Sequence, residues 1–222
     1  MEIVFVEDGR GAVKNYGSRP LLRPFSGFLE ASDATAEARA LEAQGFTVHY
    51  LKISPRDSLN DQAVELDHAL ARLQETKKAV KPLVIVSSGE ASMVVRQWLD
   101  LKPERRRDES YAGWVNYNGR LFGMPVAAHV PERAAQRSPA ALADWEILRQ
   151  FSAPQRQALQ PEAPLGRGFP ILNLVRLENG AIDNPREAIV PEAETWVTRA
   201  PAQKDALSGA VKRVVSPTRK YQ

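Results

Sequence analysis

The stretch Leu83–Val95, "LVIVSSGEASMVV", decides how this chain is read. Leu83–Val86 is continuous and apolar, as a central strand covered on both faces should be. Ala91–Leu101 then reads as a helix. Between them, "SSGEAS" places small residues at a sharp strand-to-helix corner, where two backbones come close.

Working outward, strands and helices alternate along the whole chain. Met1–Val6 reads as a buried strand ending in Glu7-Asp8-Gly9. Ser32–Gln44 is rich in helix formers, and Gly45 stops it. Phe46–Ile53 alternates as a strand does. Leu59–Thr76 places Ala63, Leu66, Leu70 and Leu73 on one helical face. Beyond the corner, Tyr111–Tyr117, Phe169–Leu177 and Glu194–Arg199 read as strands, and Asp205–Val215 as a closing amphipathic helix. Residues 131–168 are richer in proline and polar side chains. They carry two expected helices, one starting at Ser138-Pro139 and one near Pro154–Leu159. The pattern predicts one α/β domain over residues 1–222, doubly wound on a mostly parallel sheet of about six strands with helices on both faces.

Composition narrows the function classes. The chain has 222 residues, 43% of them hydrophobic, which suits one substantial core. It holds no cysteine, so disulfides, thiolate metal sites and cysteine nucleophiles are excluded. No metal and no cofactor are expected. No run approaches the roughly 20 apolar residues of a membrane span, and the N-terminus does not read as a signal peptide. The expected location is cytoplasmic, or exported with a leader already removed. The net charge is +3. The basic run Lys102–Glu109 is broken by acids and reads as a solvated loop, so no nucleic-acid partner is expected. A Gly9-x-Gly11 pair without a third glycine, and the lack of a P-loop, leave a nucleotide-binding reading as a minor alternative.

At the corner the sequence resembles the α/β-hydrolase superfamily, in its lipase- and esterase-like branch. That family's elbow runs strand, small-x-nucleophile-x-small, helix. Ser87 and Ala91 match the small positions, and Gly89 falls where the nucleophile should be. The resemblance implies that Met1–Val6 precedes an oxyanion-donating loop, that the family's first two strands are missing, and that residues 131–168 form a lid-like insertion. It carries the acid position onto Glu178, with Asn179 and Asp183 nearby. The histidine position falls in a loop holding Lys204 and Asp205 but no histidine; the last histidine of the chain is His129. Nucleophile and base act as a unit, so losing both implies a degenerate member without hydrolase chemistry, one that binds a small acyl-type ligand or a protein partner.

Residues expected around such a site are Asp8, Ser88, Glu90, Asn116, Asn118, Arg120 and His129. Gly113–Pro125 resembles a stretch of bacterial lipase- and esterase-like proteins that shapes the cleft, which puts Asn116, Asn118 and Arg120 near its mouth. Glu90 is expected to face solvent; turned inward with Glu7 and Asp8, it would make the cleft acidic. The alternative function is a serine hydrolase of esterase or amidase type that uses Ser88. That register puts Val86 and Glu90 at positions where bulk crowds the turn.

Overall fold

A computed structural model of the chain describes residues 1–8, 34–53, 58–76, 81–119, 121, 165, 168–177, 190, 193–199 and 203–216. The described elements are β1 (Glu2–Asp8), α1 (Ala34–Ala43), β2 (Thr47–Ile53), α2 (Leu59–Glu75), β3 (Leu83–Gly89), α3 (Ala91–Leu101), a 3-10 turn (Pro103–Arg107), β4 (Tyr111–Gly119), β5 (Ile171–Leu177), β6 (Glu194–Arg199) and α4 (Gln203–Val215). The helices expected within 131–168 lie outside the described residues.

The six strands form one sheet in the order β2-β1-β3-β4-β5-β6, and every pairing is parallel. The chain leaves β1 toward β2, then returns past β1 and winds the other way through β3 to β6. Right-handed crossovers taken in opposite directions place their helices on opposite faces. The two cores follow that division. On one face Val4, Val6, Ile85 and Trp114 meet Leu66 and Leu70 of α2 and Val95 and Trp98 of α3. On the other, Ile3, Phe5, Val84 and Val115 meet Leu41 of α1 and Leu207 and Val211 of α4. The reversal of winding lies between β1 and β3, and α/β sheets of this kind bind ligands at the carboxyl ends of strands beside such a reversal.

Local chemistry sets the helix ends. At the end of α1 the Gly45 N–H donates to the Glu42 carbonyl at 2.9 Å and the Phe46 N–H to the Leu41 carbonyl at 3.2 Å. This Schellman arrangement needs the left-handed Gly45, whose φ is +86°. It also takes Phe46 out of the expected strand and buries its ring. Ser58 caps α2 by accepting the Asp61 N–H at 3.2 Å.

The basic run 102–109 is not the solvated loop that its charge suggests. Asp67 of α2 accepts from Arg105 Nε at 2.9 Å, from Trp98 Nε1 at 2.9 Å and, through its other oxygen, from a second Arg105 nitrogen at 3.2 Å. Arg106 donates to the Leu99 carbonyl and to Asp100. These bonds fasten the 3-10 turn against α2 and α3, with Trp98 edge-on to Tyr111. Burial alone would raise the Asp67 carboxyl, but the hydrogen bonds from Arg105 and Trp98 outweigh it and hold the group below its ordinary value. Burial pushes the Tyr111 hydroxyl up to about 12.

Candidate functional site

The corner after β3 is built by a change of backbone region within one residue. Gly89 ends the strand with φ +55°, Glu90 follows with φ −73° and ψ −19°, and α3 begins at Ala91. A left-handed φ costs an L-residue about 1–2 kcal/mol, and glycine meets it freely. Among the described residues, a Cβ placed at Gly89 has no neighbour within 4 Å. Gly89 therefore stands at a sharp turn, beside the winding reversal, with room among the described residues for a side chain that it does not have.

The pairing between β3 and β4 shifts at this point. Ser87 faces Asn116 and Ser88 faces Tyr117, but Gly89 faces Gly119, so Asn118 is the extra residue. Asn118 takes a φ of +45°, a conformation asparagine tolerates better than most residues. Gly119 is required for space. A Cβ there would run into Asn116 Oδ1 and come within 2.7 Å of Ser92 Oγ.

Beneath the corner, on the face of α2 and α3, a row of polar side chains crosses four strands at one register: Ser87, Asn116, Asn173 and Thr195. Ser87 Oγ accepts from Trp114 Nε1 at 2.8 Å and shares a hydrogen bond with Ser92 Oγ at 2.9 Å. Asn116 Nδ2 donates to Asn173 Oδ1 at 2.9 Å. The Val190 N–H donates to that same oxygen at 2.9 Å. Asn173 Nδ2 donates to the Val190 carbonyl at 3.0 Å and to Thr195 Oγ1 at 3.2 Å.

The expected site residues divide accordingly. Asn116 does not sit at a pocket mouth; it is wholly buried, with its amide turned into the row. Glu90 does not face solvent but is 7% exposed at the start of α3, where its charge has the sign the helix dipole favours. Ser88 is buried, and strand alternation sets it, like its register partner Tyr117, on the face of α1 and α4 rather than that of Ser87. Asn118 is half-buried at the strand end. Asp8 closes β1 two residues beyond Val6, as Gly89 stands two beyond Ser87, and Val6 pairs with Ser87. Lys204 stands in the first turn of α4. Arg120, His129 and Glu178 lie outside the described residues. Among the described residues no cluster of potential metal ligands occurs, and no helix is long and apolar enough to cross a membrane.

Sequence reasoning passed over Asn173 and Thr195. The available signal was a lone asparagine in the apolar run "ILNLVRL", matched by Asn116 in "YAGWVNY". Two buried strands each interrupted once by an amide can satisfy those amides against each other.

No protein-family model matches the chain, and no curated protein does either. Solved structures do. A metagenomic carboxyl esterase superposes with a TM-score of 0.65 at 15% identity, over 97% of this chain and 75% of its own. Cfl2 from Burkholderia cenocepacia gives 0.56 at 14% identity, over 96% and 87%. A structure from work on the metagenome-derived lipolytic enzymes LipS and LipT gives 0.53 at 13%, over 96% and 93%. The architecture is the α/β-hydrolase fold.

Proposed function

We propose that this chain is a binding module on an α/β-hydrolase fold that does not perform hydrolysis, and that a small acyl-type ligand or a protein partner docks at the corner around Gly89. The observation that carries the reading is the backbone of Gly89 itself: a left-handed residue on a strand-to-helix turn, with space at its side-chain position among the described residues and no side-chain atom to attack a carbonyl. In this fold a nucleophile sits on such a turn so that it is exposed at the end of the sheet. Supporting this, no histidine follows His129 anywhere in the sequence, so the loop before α4 supplies no imidazole. Losing either partner of such a pair removes several orders of magnitude of rate.

The experiment is labelling of the intact chain with a fluorophosphonate probe, read by intact mass. The unmodified chain stays unlabelled. Labelling that disappears in Ser88→Ala would replace this reading with an off-register serine hydrolase.

A further inference from the structure

We propose that Asn173 is a positioning residue for the corner, acting through Asn116 and Gly119 on the first turn of α3. Two acceptor sites and two amide hydrogens are all that an asparagine side chain offers. Asn173 uses all four, on Asn116, on both backbone groups of Val190 and on Thr195. Its side chain pairs with Val190 as a strand backbone would, fastening the chain at Val190 to the sheet. Asn173, Asn116 and Val190 are all fully buried.

From Asn173 the row reaches Asn116 by a hydrogen bond, and Asn116 meets Ser92 by packing around the Gly119 site. Asn116 passes its Nδ2 to Asn173, while its Oδ1 occupies the space left by the missing Gly119 side chain. Ser92 Oγ borders that same space and is hydrogen-bonded to Ser87, which is held in turn by Trp114. Ser92 belongs to the first turn of α3, and Ser87 lies two residues before Gly89 on the same sheet face. The corner therefore stands on a polar platform drawn from β3, β4, β5 and α3.

Stability does not account for this platform. A buried amide adds little over apolar packing of the same volume, whereas one with every site used, as in Asn173, fixes a single geometry. An apolar row would have served the core of this face, as it does at Ile85 and Trp114 one step below. The polar row lies where it locks the angle between β3 and α3, and its far end holds Val190 to β5. It deepens the reading of the corner as the binding site and rests on that reading.

The chain has no cysteine, so Gly89→Cys introduces a single thiol at the corner. Its alkylation by iodoacetamide is followed across pH, because a thiol held at a helix N-terminus departs from the ordinary value of about 8.5. Adding Asn173→Ala is expected to move the alkylation midpoint by about half a pH unit or more toward that ordinary value. Leu207→Ala, in the core of the opposite face, lowers the unfolding midpoint and leaves the thiol midpoint in place. Ser92→Ala shifts the thiol the same way as Asn173→Ala and serves if the latter does not fold. Unchanged thiol midpoints in Asn173→Ala and Ser92→Ala overturn the proposal, as does an equal shift in Leu207→Ala. Fluorophosphonate labelling of the unmodified chain would overturn the non-catalytic reading without touching this comparison, so the two can fail separately.

Discussion

Gly89 and Gly119 face each other across the β3–β4 ladder, and each has to be glycine for a different reason. At Gly89 the backbone is left-handed, and a Cβ has no neighbour within 4 Å among the described residues. Alanine there meets no atom of the described residues, so the cost is conformational, about 1–2 kcal/mol. At Gly119 a methyl group would collide with the Asn116 amide and press on Ser92 Oγ at 2.7 Å. The Asn116 side chain has nowhere to retreat, because it is wholly buried and its Nδ2 is bound to Asn173 at 2.9 Å. Overpacking at such a site costs about 1–3 kcal/mol, and loss of the amide hydrogen bond adds about 1–3 kcal/mol. Gly119→Ala should therefore destabilise by roughly 2–6 kcal/mol, clearly more than Gly89→Ala. Urea unfolding of the two variants measures both. A double-mutant cycle locates the cause: in an Asn116→Ala background the collision with the amide is gone and only the Ser92 Oγ contact remains, so Gly119→Ala should cost much less than it does alone. If Gly119→Ala costs no more than Gly89→Ala, or if the cycle is additive, the proposed crowding at Asn116 is wrong.

Other outcomes follow from the same contacts. Asp67 is held below its ordinary value when folded, so its contribution to stability is present above the unfolded carboxyl pKa of about 3.9 and is lost as pH falls through the folded value. Asp67→Asn should flatten the acid limb of a stability–pH profile measured by urea unfolding at each pH; an unchanged limb would assign acid sensitivity to other groups. Gly45→Ala forces a side chain into φ +86° and should lower stability by about 1–2 kcal/mol in the same unfolding assay. Tyr111, pushed up by burial to about 12, should titrate late in a tyrosinate absorbance titration, and Tyr111→Phe should remove one late step.

How much of this was legible in the sequence depends on how local each cause is. The strand Leu83–Val86, the glycine stop after α1 and the Ser58 cap are written in adjacent residues, and the fold followed from their alternation. The corner was legible too, because small residues and glycine at a strand end have few other uses. Strand β3 nevertheless runs three residues past its apolar core, to Gly89. Ser87 is buried there only because Trp114 and Ser92 satisfy its hydroxyl, and those partners are set by register rather than by neighbouring sequence. The same limit hid Asn173, whose partners Asn116 and Val190 stand 57 and 17 residues away. It also made Arg105 look solvated, since its acceptor Asp67 is 38 residues distant. Burial of Glu90 follows from how the corner packs, and a glutamate beside a turn gives no local sign of it.

The most direct test of the central claim compares the unmodified chain with Gly89→Ser under a fluorophosphonate probe, with turnover of a short-chain aryl ester measured in parallel. A binding module with an empty nucleophile position stays unlabelled and turns over no ester. Gly89→Ser should fold, since no described residue crowds the new side chain, and should at most accept the probe slowly without turnover, because no imidazole follows His129 in the sequence to activate the hydroxyl. Labelling and ester turnover by the unmodified chain, both abolished in Ser88→Ala, would contradict the account.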